Sequence, residues 1–509
     1  MSRQLVILVT LALAASVATQ TPSPIEAALQ RPPAAAARPG LEDGLPAVSA
    51  FYRTRGYQPV WAGPAGLNAA GESVMRALAR ADEDGLNPDD YVPKALADLA
   101  SQRTPEATAN LDVLLSLVVV RFARDVGWGI TVPSEVDRAN SYDVRPFDGG
   151  LVLGEVTAAA DPGETLRQYA PPSFVYGLVK RALAELRARR TRGGWTRATD
   201  GPTLRKGDKG PRVAELRTIL TERGDLPEGP KSDEFDAALV DGLKHFQDRY
   251  GLDTDGIYGK KVVLEMNVPL SQRIEQVRLG LERLRWLPRT STGRRIAVNI
   301  ADFKAYVFDD DRVTFETRAV VGKLFHATPM FTGRMTYLVI NPYWNVPVSI
   351  MRAELLPKEK NDPGYLARNH FEYDGKSIRQ QPGPWNSLGR FKFMFPNPHN
   401  IYLHDTPARA LFNASDRAFS HGCVRLDKPA ELAALLLADQ GWTAQRIAAA
   451  VQTGTETVVN LEKPIPVYIS YITAFLGQDG LMHYRRDVYG RDKKLITALQ
   501  QVSQGEWDR

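Results

Sequence analysis

Ile296-Ala297-Val298-Asn299-Ile300 and, after the turn Asp309-Asp310-Asp311, Val313-Thr314-Phe315-Glu316-Thr317-Arg318-Ala319-Val320-Val321 change the rhythm of this chain. In both runs apolar residues stand at every second position. Ile296, Val298 and Ile300 share one face, and Val313, Phe315, Thr317, Ala319 and Val321 share another. That period reads as half-buried strand. Before it the period is helical. Leu270 to Leu287 reads as a connecting helix stopped by Pro288. The fold class expected is therefore multidomain α+β, with a helical front half and a β-rich domain over 291–475. Within that domain Met351 to Gln380 is charged and broken by Pro357 and Pro363, unlike a strand. Such a long insertion reads as a flap, or cap, over about 351–380.

The front half divides by composition and period. Arg3, the apolar run Leu5 to Ala15 and the small residues Ser16-Val17-Ala18 read as a signal peptide cut after Ala18, with an uncleaved anchor as the alternative. Residues 19–44, rich in Pro and Ala, read as a linker. Residues 45–200 read as a helical scaffold, with Leu111 to Phe122 as its buried helix and no catalytic constellation. Residues 201–268 form a compact unit. Val213, Leu216 and Leu220 make one helical face, and Leu239, Leu243 and Phe246 make a second. A connecting helix and β-rich text follow over 269–290 and 291–475, and 476–509 reads as a C-terminal tail.

A net charge of +5 over 509 residues permits a polyanionic partner without demanding one, and no basic stripe or motif points to nucleic acid. The chain has one cysteine, Cys423. It forms no internal disulfide, and a lone thiol in an exported chain is a liability unless it has a task. Its surroundings supply one. The relevant text is Ile401-Tyr402-Leu403-His404-Asp405, then Phe419-Ser420-His421-Gly422-Cys423-Val424-Arg425. A thiol attacks as thiolate, and an unperturbed Cys has a pKa near 8.5, so it needs a base or cation beside it. His404 and His421 are the bases at hand. Gly422 allows close backbone approach, and the N–H groups of Gly422 and Cys423 are natural oxyanion donors. A zinc set of His404, His421 and Cys423 is the other reading of these residues.

His404 to Arg425 resembles the signature of the L,D-transpeptidase catalytic domain, also called the YkuD domain: a His, a spacer of about fifteen residues, then Ser/Thr-His-Gly-Cys. The flanking text agrees, in Val320-Val321-Gly322-Lys323, Asn341-Pro342-Tyr343-Trp344-Asn345-Val346-Pro347, Asn386-Ser387-Leu388-Gly389 and Phe393-Met394-Phe395-Pro396-Asn397. Residues 201–268 resemble the peptidoglycan-binding domain type 1, with a spacer that has lost affinity as the alternative. With Tyr57-Gln58-Pro59-Val60-Trp61 opening the scaffold, the whole chain is similar to the large YcbB-type L,D-transpeptidases of Gram-negative bacteria. Arg425 stands where many smaller family members have Asn.

The resemblance implies that Cys423 is the nucleophile, His404 its general base and the Asp405 carbonyl the third member of the triad. It implies that His421 and Tyr402 line the oxyanion region, and that Ser420, Arg425 and Trp344 are candidate substrate contacts, with simple packing as the alternative for Trp344. The reaction implied is acyl transfer between peptidoglycan stem peptides, giving 3→3 cross-links. It needs no metal and no organic cofactor, because the thiol supplies the nucleophile. Implied partners are stem peptides and glycan, other cell-wall synthases, and carbapenem-type β-lactams as acylating agents; the implied compartment is the periplasm. Two rivals stay open: a hydrolase using the same thioester, and a non-catalytic wall-binding protein. No serine has Lys three residues later, which disfavours a serine D,D-transpeptidase.

Overall fold

The computed structural model describes residues 22–91, 94–143, 145–289 and 292–503. The expected signal peptide lies outside them. Among the described residues no helix is long and apolar enough to cross a membrane.

The first core is helical. It is built on helix α2 (Pro105–Trp128), capped by Thr104, whose hydroxyl accepts from the Ala107 N–H at 3.1 Å; a short helix, α1 (Pro24–Gln30), packs on it. Helix α2 is buried on nearly every side, as its unbroken apolar text requires. It buries two carboxylates, Asp112 and Asp125, and both are bonded, Asp125 to the Tyr91 hydroxyl and Arg121. Asp112 accepts from the backbone of Val60, Trp61 and Ala62 at 2.7–2.9 Å and from the Tyr52 hydroxyl. That pins Tyr57 to Trp61 to the helix, with Trp61 Nε1 donating to Ser116 at 2.8 Å. The linker expected over 19–44 is corrected here. Ser23 caps α1, Pro24 starts it, and Ile25, Ala28 and Leu29 fall at helical spacing into the core, followed by Leu41.

The second core also redraws a boundary. Helix α3 (Phe174–Thr191), expected inside the scaffold, buries Tyr176, Val179 and Leu183 against the next unit. That unit is the expected small bundle, of α4 (Pro211–Glu222), α5 (Ala237–Arg249) and α6 (Lys260–Met266), with Val213, Leu216, Leu239, Leu243 and Phe246 buried between them.

Helix α7 (Leu270–Trp286) then runs between the cores with Arg273, Arg278, Glu282, Arg283 and Arg285 all buried. Each buried charge has a partner on a different element. Glu282 accepts from the N–H and hydroxyl of Thr131 at 3.0 and 2.9 Å and pairs with Arg285 at 2.9 Å. Arg285 also donates to the Asp84 carbonyl, and Arg278 to that of Gly85. Arg273 pairs with Glu265, and Arg283 with Asp492.

The third core is a closed sheet. A scaffold strand, β1 (Asn140–Ser141), is joined to β2 (Arg294–Asn299), β3 (Lys304–Asp309), β4 (Arg312–Gly322) and β5 (Met330–Ile340). The insertion contributes β6 (Trp344–Asn345), β7 (Phe371–Asp374) and β8 (Ser377–Gln380), and the rest are β9 (Phe391–Met394), β10 (Leu403–His404), β11 (Ala418–Ser420), β12 (Val424–Leu426) and β13 (Thr457–Ser470). The ladder runs β9-β10-β12-β4-β3-β2-β13-β5, and β5 pairs back onto β9, so the sheet closes. Strand β1 adds to β5 in parallel, tying the scaffold to the barrel. The insertion is not free of strand, contrary to its charged text. Strands β7 and β8 form a hairpin around Gly375, at φ +61°, and β8 pairs with β6.

The expected tail is also corrected. Strands β14 (Ala474–Leu476) and β15 (Met482–Tyr484) pair and enter the second core, where the Tyr484 ring stacks on Tyr250 at 5.3 Å. Helix α8 (Arg491–Val502) returns to the barrel and buries Leu495 and Leu499. Removing one partner of a buried ion pair strands the other, at about 3–5 kcal/mol. Glu282→Ala is therefore expected to lower the unfolding free energy by about that amount, while the double change Glu282→Met with Arg285→Met costs less. Urea unfolding of the two variants checks this; equal losses would contradict it.

Candidate active site

On three adjacent strands the side chains sort by parity. Phe391 and Phe393 of β9, Leu403 of β10, and Val424 and Leu426 of β12 point into the barrel core. The alternate positions, Lys392, Tyr402, His404, Cys423 and Arg425, therefore share the opposite face. Register aligns them. Lys392 pairs with His404 across an antiparallel ladder, and His404 pairs with Arg425 across a parallel one. The three bases form a row, and Cys423 sits at the start of β12 beside Tyr402.

His404 is buried, and its Nδ1 meets the Asp405 carbonyl oxygen at 2.6 Å. That contact makes Nδ1 the protonated nitrogen and leaves Nε2 as the basic one. Asp405 is held in turn. Its carboxylate accepts from the N–H of Arg390 at 2.8 Å and of Thr406 at 2.7 Å. A side chain at Gly389, at φ +61°, would collide with that carboxyl group, so the approach requires glycine. Burial, then Arg425 and Lys392, push the His404 pKa down to about 3 against the pull of the Asp405 carbonyl. His404 is a neutral imidazole throughout the working range.

Cys423 is partly exposed, with Sγ 3.9 Å from the Asn400 carbonyl. Burial pushes its thiol up, opposed by the main chain and hydroxyl of Tyr402 and by Lys392 and Arg425. The Tyr402 hydroxyl also meets Trp344, and burial holds its phenol far above the usual range. Trp344 thus packs in the insertion and touches the site as well. Among the described residues no hydrogen bond joins His404 to Cys423, and no three His, Cys, Asp or Glu converge as a metal cage.

Two expectations are corrected by hydrogen bonding. The Gly422 N–H is not free to hold an oxyanion, because it donates to Ser420 Oγ at 3.0 Å. Ser420 is buried, its hydroxyl donates to the Cys423 carbonyl at 2.6 Å, and it shapes the loop rather than meeting the cleft. Gly422 keeps a structural duty. It stands at φ +117°, where side chains are disfavoured, and its carbonyl accepts from Thr328 at 2.7 Å. The donors beside the sulfur are the Cys423 N–H, which has no partner among the described residues, and the Tyr402 hydroxyl, which is directed at the thiol. His421 turns toward the insertion, with Nε2 3.0 Å from Glu354 Oε1. Glu354 lies on a π-helical turn, Met351–Leu355. The insertion has a small core of its own, of Val346, Leu355, Leu366 and Ile378.

Sequence reading missed Lys392. Its signal was present, as the one charged residue in Phe391-Lys392-Phe393-Met394-Phe395, at the outward position of a strand. Glu354 and Thr328 carried no such signal.

The sequence model described as "L,D-transpeptidase catalytic domain" matches residues 293–469, which contain the whole of this constellation. This stretch of the chain is similar to L,D-transpeptidase catalytic domains. Models described as "Scaffold domain" and "Putative peptidoglycan binding domain" match residues 46–183 and 209–266 in front of it. A curated relative named "Putative L,D-transpeptidase", from Haemophilus influenzae, is 32% identical over 259 residues, covering 46% of this chain and 52% of the relative. The chain thus spans about half the length of the curated relative it matches. Solved structures found to be similar include an L,D-transpeptidase from Stackebrandtia nassauensis, 15% identical, covering 54% of this chain and 96% of that one, with a TM-score of 0.24. Another, from Xylanimonas cellulosilytica, is 14% identical and covers 53% of this chain and 98% of that one, with a TM-score of 0.20.

A neutral His404 and a raised thiol set the pH response of the L,D-transpeptidase site. Alkylation of Cys423 by iodoacetamide is expected to rise with pH through one inflection above the ordinary thiol value, since thiolate is the reactive form. Mass spectrometry of the alkylated chain measures it. A second inflection between pH 6 and 7 would show that His404 titrates there and would contradict this electrostatic picture.

Proposed function

We propose that the chain is a periplasmic peptidoglycan L,D-transpeptidase acting through a Cys423 thioester. The observation that carries this reading is the convergence on one sheet face of a thiol, an imidazole oriented by the Asp405 carbonyl, and the Tyr402 hydroxyl directed at the thiol.

The first half-reaction begins with a donor tetrapeptide stem. Sγ of Cys423 attacks the carbonyl carbon of the third residue, a diamino acid, and its proton passes to Nε2 of His404. Thiol and imidazole are neutral at rest, so proton transfer accompanies attack, and the hydrogen bond between them forms in the substrate complex. The oxyanion is met by the Cys423 N–H and the Tyr402 hydroxyl. His404 then protonates the departing amine, the carbon–nitrogen bond breaks, and D-Ala leaves. In the second half-reaction an acceptor amine gives a proton to His404 and attacks the thioester, forming the 3→3 cross-link and restoring the thiol. Every proton and bond balances without a cofactor. The bundle over 209–266 supports docking to the wall polymer.

Incubation with a carbapenem and intact-mass analysis tests the nucleophile. Wild type is expected to gain one covalent adduct, and Cys423→Ala none, with transfer activity lost and the fold retained. An adduct on Cys423→Ala would overturn the assignment.

The insertion is assigned as a lid on this site, on the strength of Glu354 against His421 and of Phe371 packed on Trp344, the residue that meets Tyr402. Water competes with the acceptor amine for the thioester, and a lid that excludes it favours transfer. Shortening 351–380 is therefore expected to raise hydrolysed tripeptide relative to cross-linked dimer. Chromatography of the muropeptide products gives that ratio, and an unchanged ratio would remove the lid's proposed role.

A further inference from the structure

Two cations in the cleft have no counter-ion. Lys392 and Arg425 flank His404 in the cross-strand row, so their side chains lie on the same face as Cys423. The ammonium of Lys392 rests 4.3 Å from the centroid of the Tyr402 ring, which places it over the residue that meets the thiol. Among the described residues neither cation has a hydrogen-bond or ion-pair partner, and the buried Nε of Arg425 is unsatisfied. The buried arginines of α7 differ in one respect: Arg273 and Arg283 also keep an unsatisfied Nε, but each pairs with a carboxylate through another nitrogen. Two half-buried cations in a cleft with no such partner are suited to receive an anion.

The substrate supplies one at the right place. Resting on the reading above, the donor is cut at the bond before its last residue. That residue's carboxylate carbon lies three covalent bonds from the attacked carbonyl carbon, within about 4 Å. Whatever binds this carboxylate must therefore lie beside Sγ. Arg425 is two residues along the strand from Cys423, about 7 Å on the same face, and a guanidinium chain covers that span. Lys392 approaches from the next strand but one. We infer that Lys392 and Arg425 together bind the C-terminal carboxylate of the donor stem, and so select donors that end at the residue to be released. A stem longer by one residue has an amide at this point. It offers no charge to the pair and leaves both cations unmatched. Burial lowers the pKa of both groups, opposed by Cys423 and, at Lys392, also by Glu456. Arg forms a fork for carboxylate, whereas Lys acts as a point charge, so the two are not interchangeable.

The test uses the full chain with two donors, a tetrapeptide stem ending in D-Ala and the same stem ending in D-alaninamide. Release of the terminal residue is followed by chromatography. The amide is the better leaving amine on electronic grounds, so a preference for the acid reports recognition. Wild type is expected to favour the acid by about ten- to hundredfold in kcat/KM, the worth of a charge-assisted contact. Lys392→Met and Arg425→Gln are expected to lose most of that preference, the acid donor falling further than the amide donor and chiefly through KM. Lys392→Arg is expected to recover part of it. Iodoacetamide labelling of Cys423 verifies that each variant keeps its site. Equal turnover of both donors by wild type overturns the assignment, whatever the variants do, as does a Lys392→Met variant that slows both donors alike. If wild type releases nothing from either donor, the transpeptidase reading itself fails and this inference falls with it.

Discussion

The molecule is organised by the need to pair charge buried on one helix. Helix α7 carries five buried charged side chains, which no element could hide unaided. Glu282 is the hub. It takes two hydrogen bonds from Thr131, at the end of the scaffold's long helix, and an ion pair from Arg285, which reaches on to Asp84. Arg273 fixes the small helical bundle through Glu265, and Arg283 fixes the C-terminal helix through Asp492. Thr473 also donates to Asp492, at 2.7 Å, at the point where the last barrel strand leaves the sheet. Each bond has a direction and a length, so the set defines how three cores meet. Apolar packing alone would hold them together with less specificity of angle.

The barrel translates that fixed frame into chemistry by parity. In strands β9, β10 and β12 the core residues and the reactive residues occupy alternate positions. A slip of one residue in any of the three would turn Lys392, His404 or Cys423 into the barrel core and Phe393, Leu403 or Val424 out of it. The hydrophobic cost of such a slip guards the register, and the register brings His404 level with Lys392 and Arg425. The site therefore needs few fastenings of its own. Those present act on backbone: Ser420 on the Gly422 N–H, Thr328 on the Gly422 carbonyl, and Asp405 on the Arg390 N–H.

Local pattern made much of this legible. The period change at Ile296, the apolar run in α2 and the His-Gly-Cys text each depend on neighbours in sequence. What stayed hidden depends on partners far along the chain. Helix α1 was masked by its Pro and Ala content, although Ser23-Pro24 is a start signal. The C-terminal segment looked like a tail because its anchors, Tyr250 for Tyr484 and Arg283 for Asp492, lie more than two hundred residues earlier. The oxyanion donors were misassigned at Gly422 because only the folded loop brings Ser420 Oγ onto its N–H. Lys392 was overlooked because a lysine on a strand ordinarily faces water, and only the barrel's closure sets it over Tyr402.

The same row of cations acts in opposite senses on the two reacting groups. Lys392 and Arg425 favour thiolate at Cys423 and disfavour imidazolium at His404. An ion pair between His404 and Cys423 would gain from one effect and lose from the other, while burial penalises both charges. The resting site is accordingly thiol and neutral imidazole, with charge appearing only as substrate is attacked. For a lone cysteine this has a chemical consequence. Oxidants, like alkylating agents, react with thiolate. Keeping Cys423 protonated until a carbonyl sits between the Cys423 N–H and the Tyr402 hydroxyl limits its reaction with anything else. An incoming carboxylate would also neutralise part of the field that holds His404 acidic, raising its basicity when a proton must be taken. Substrate charge and catalytic basicity are thereby coupled through the same two side chains.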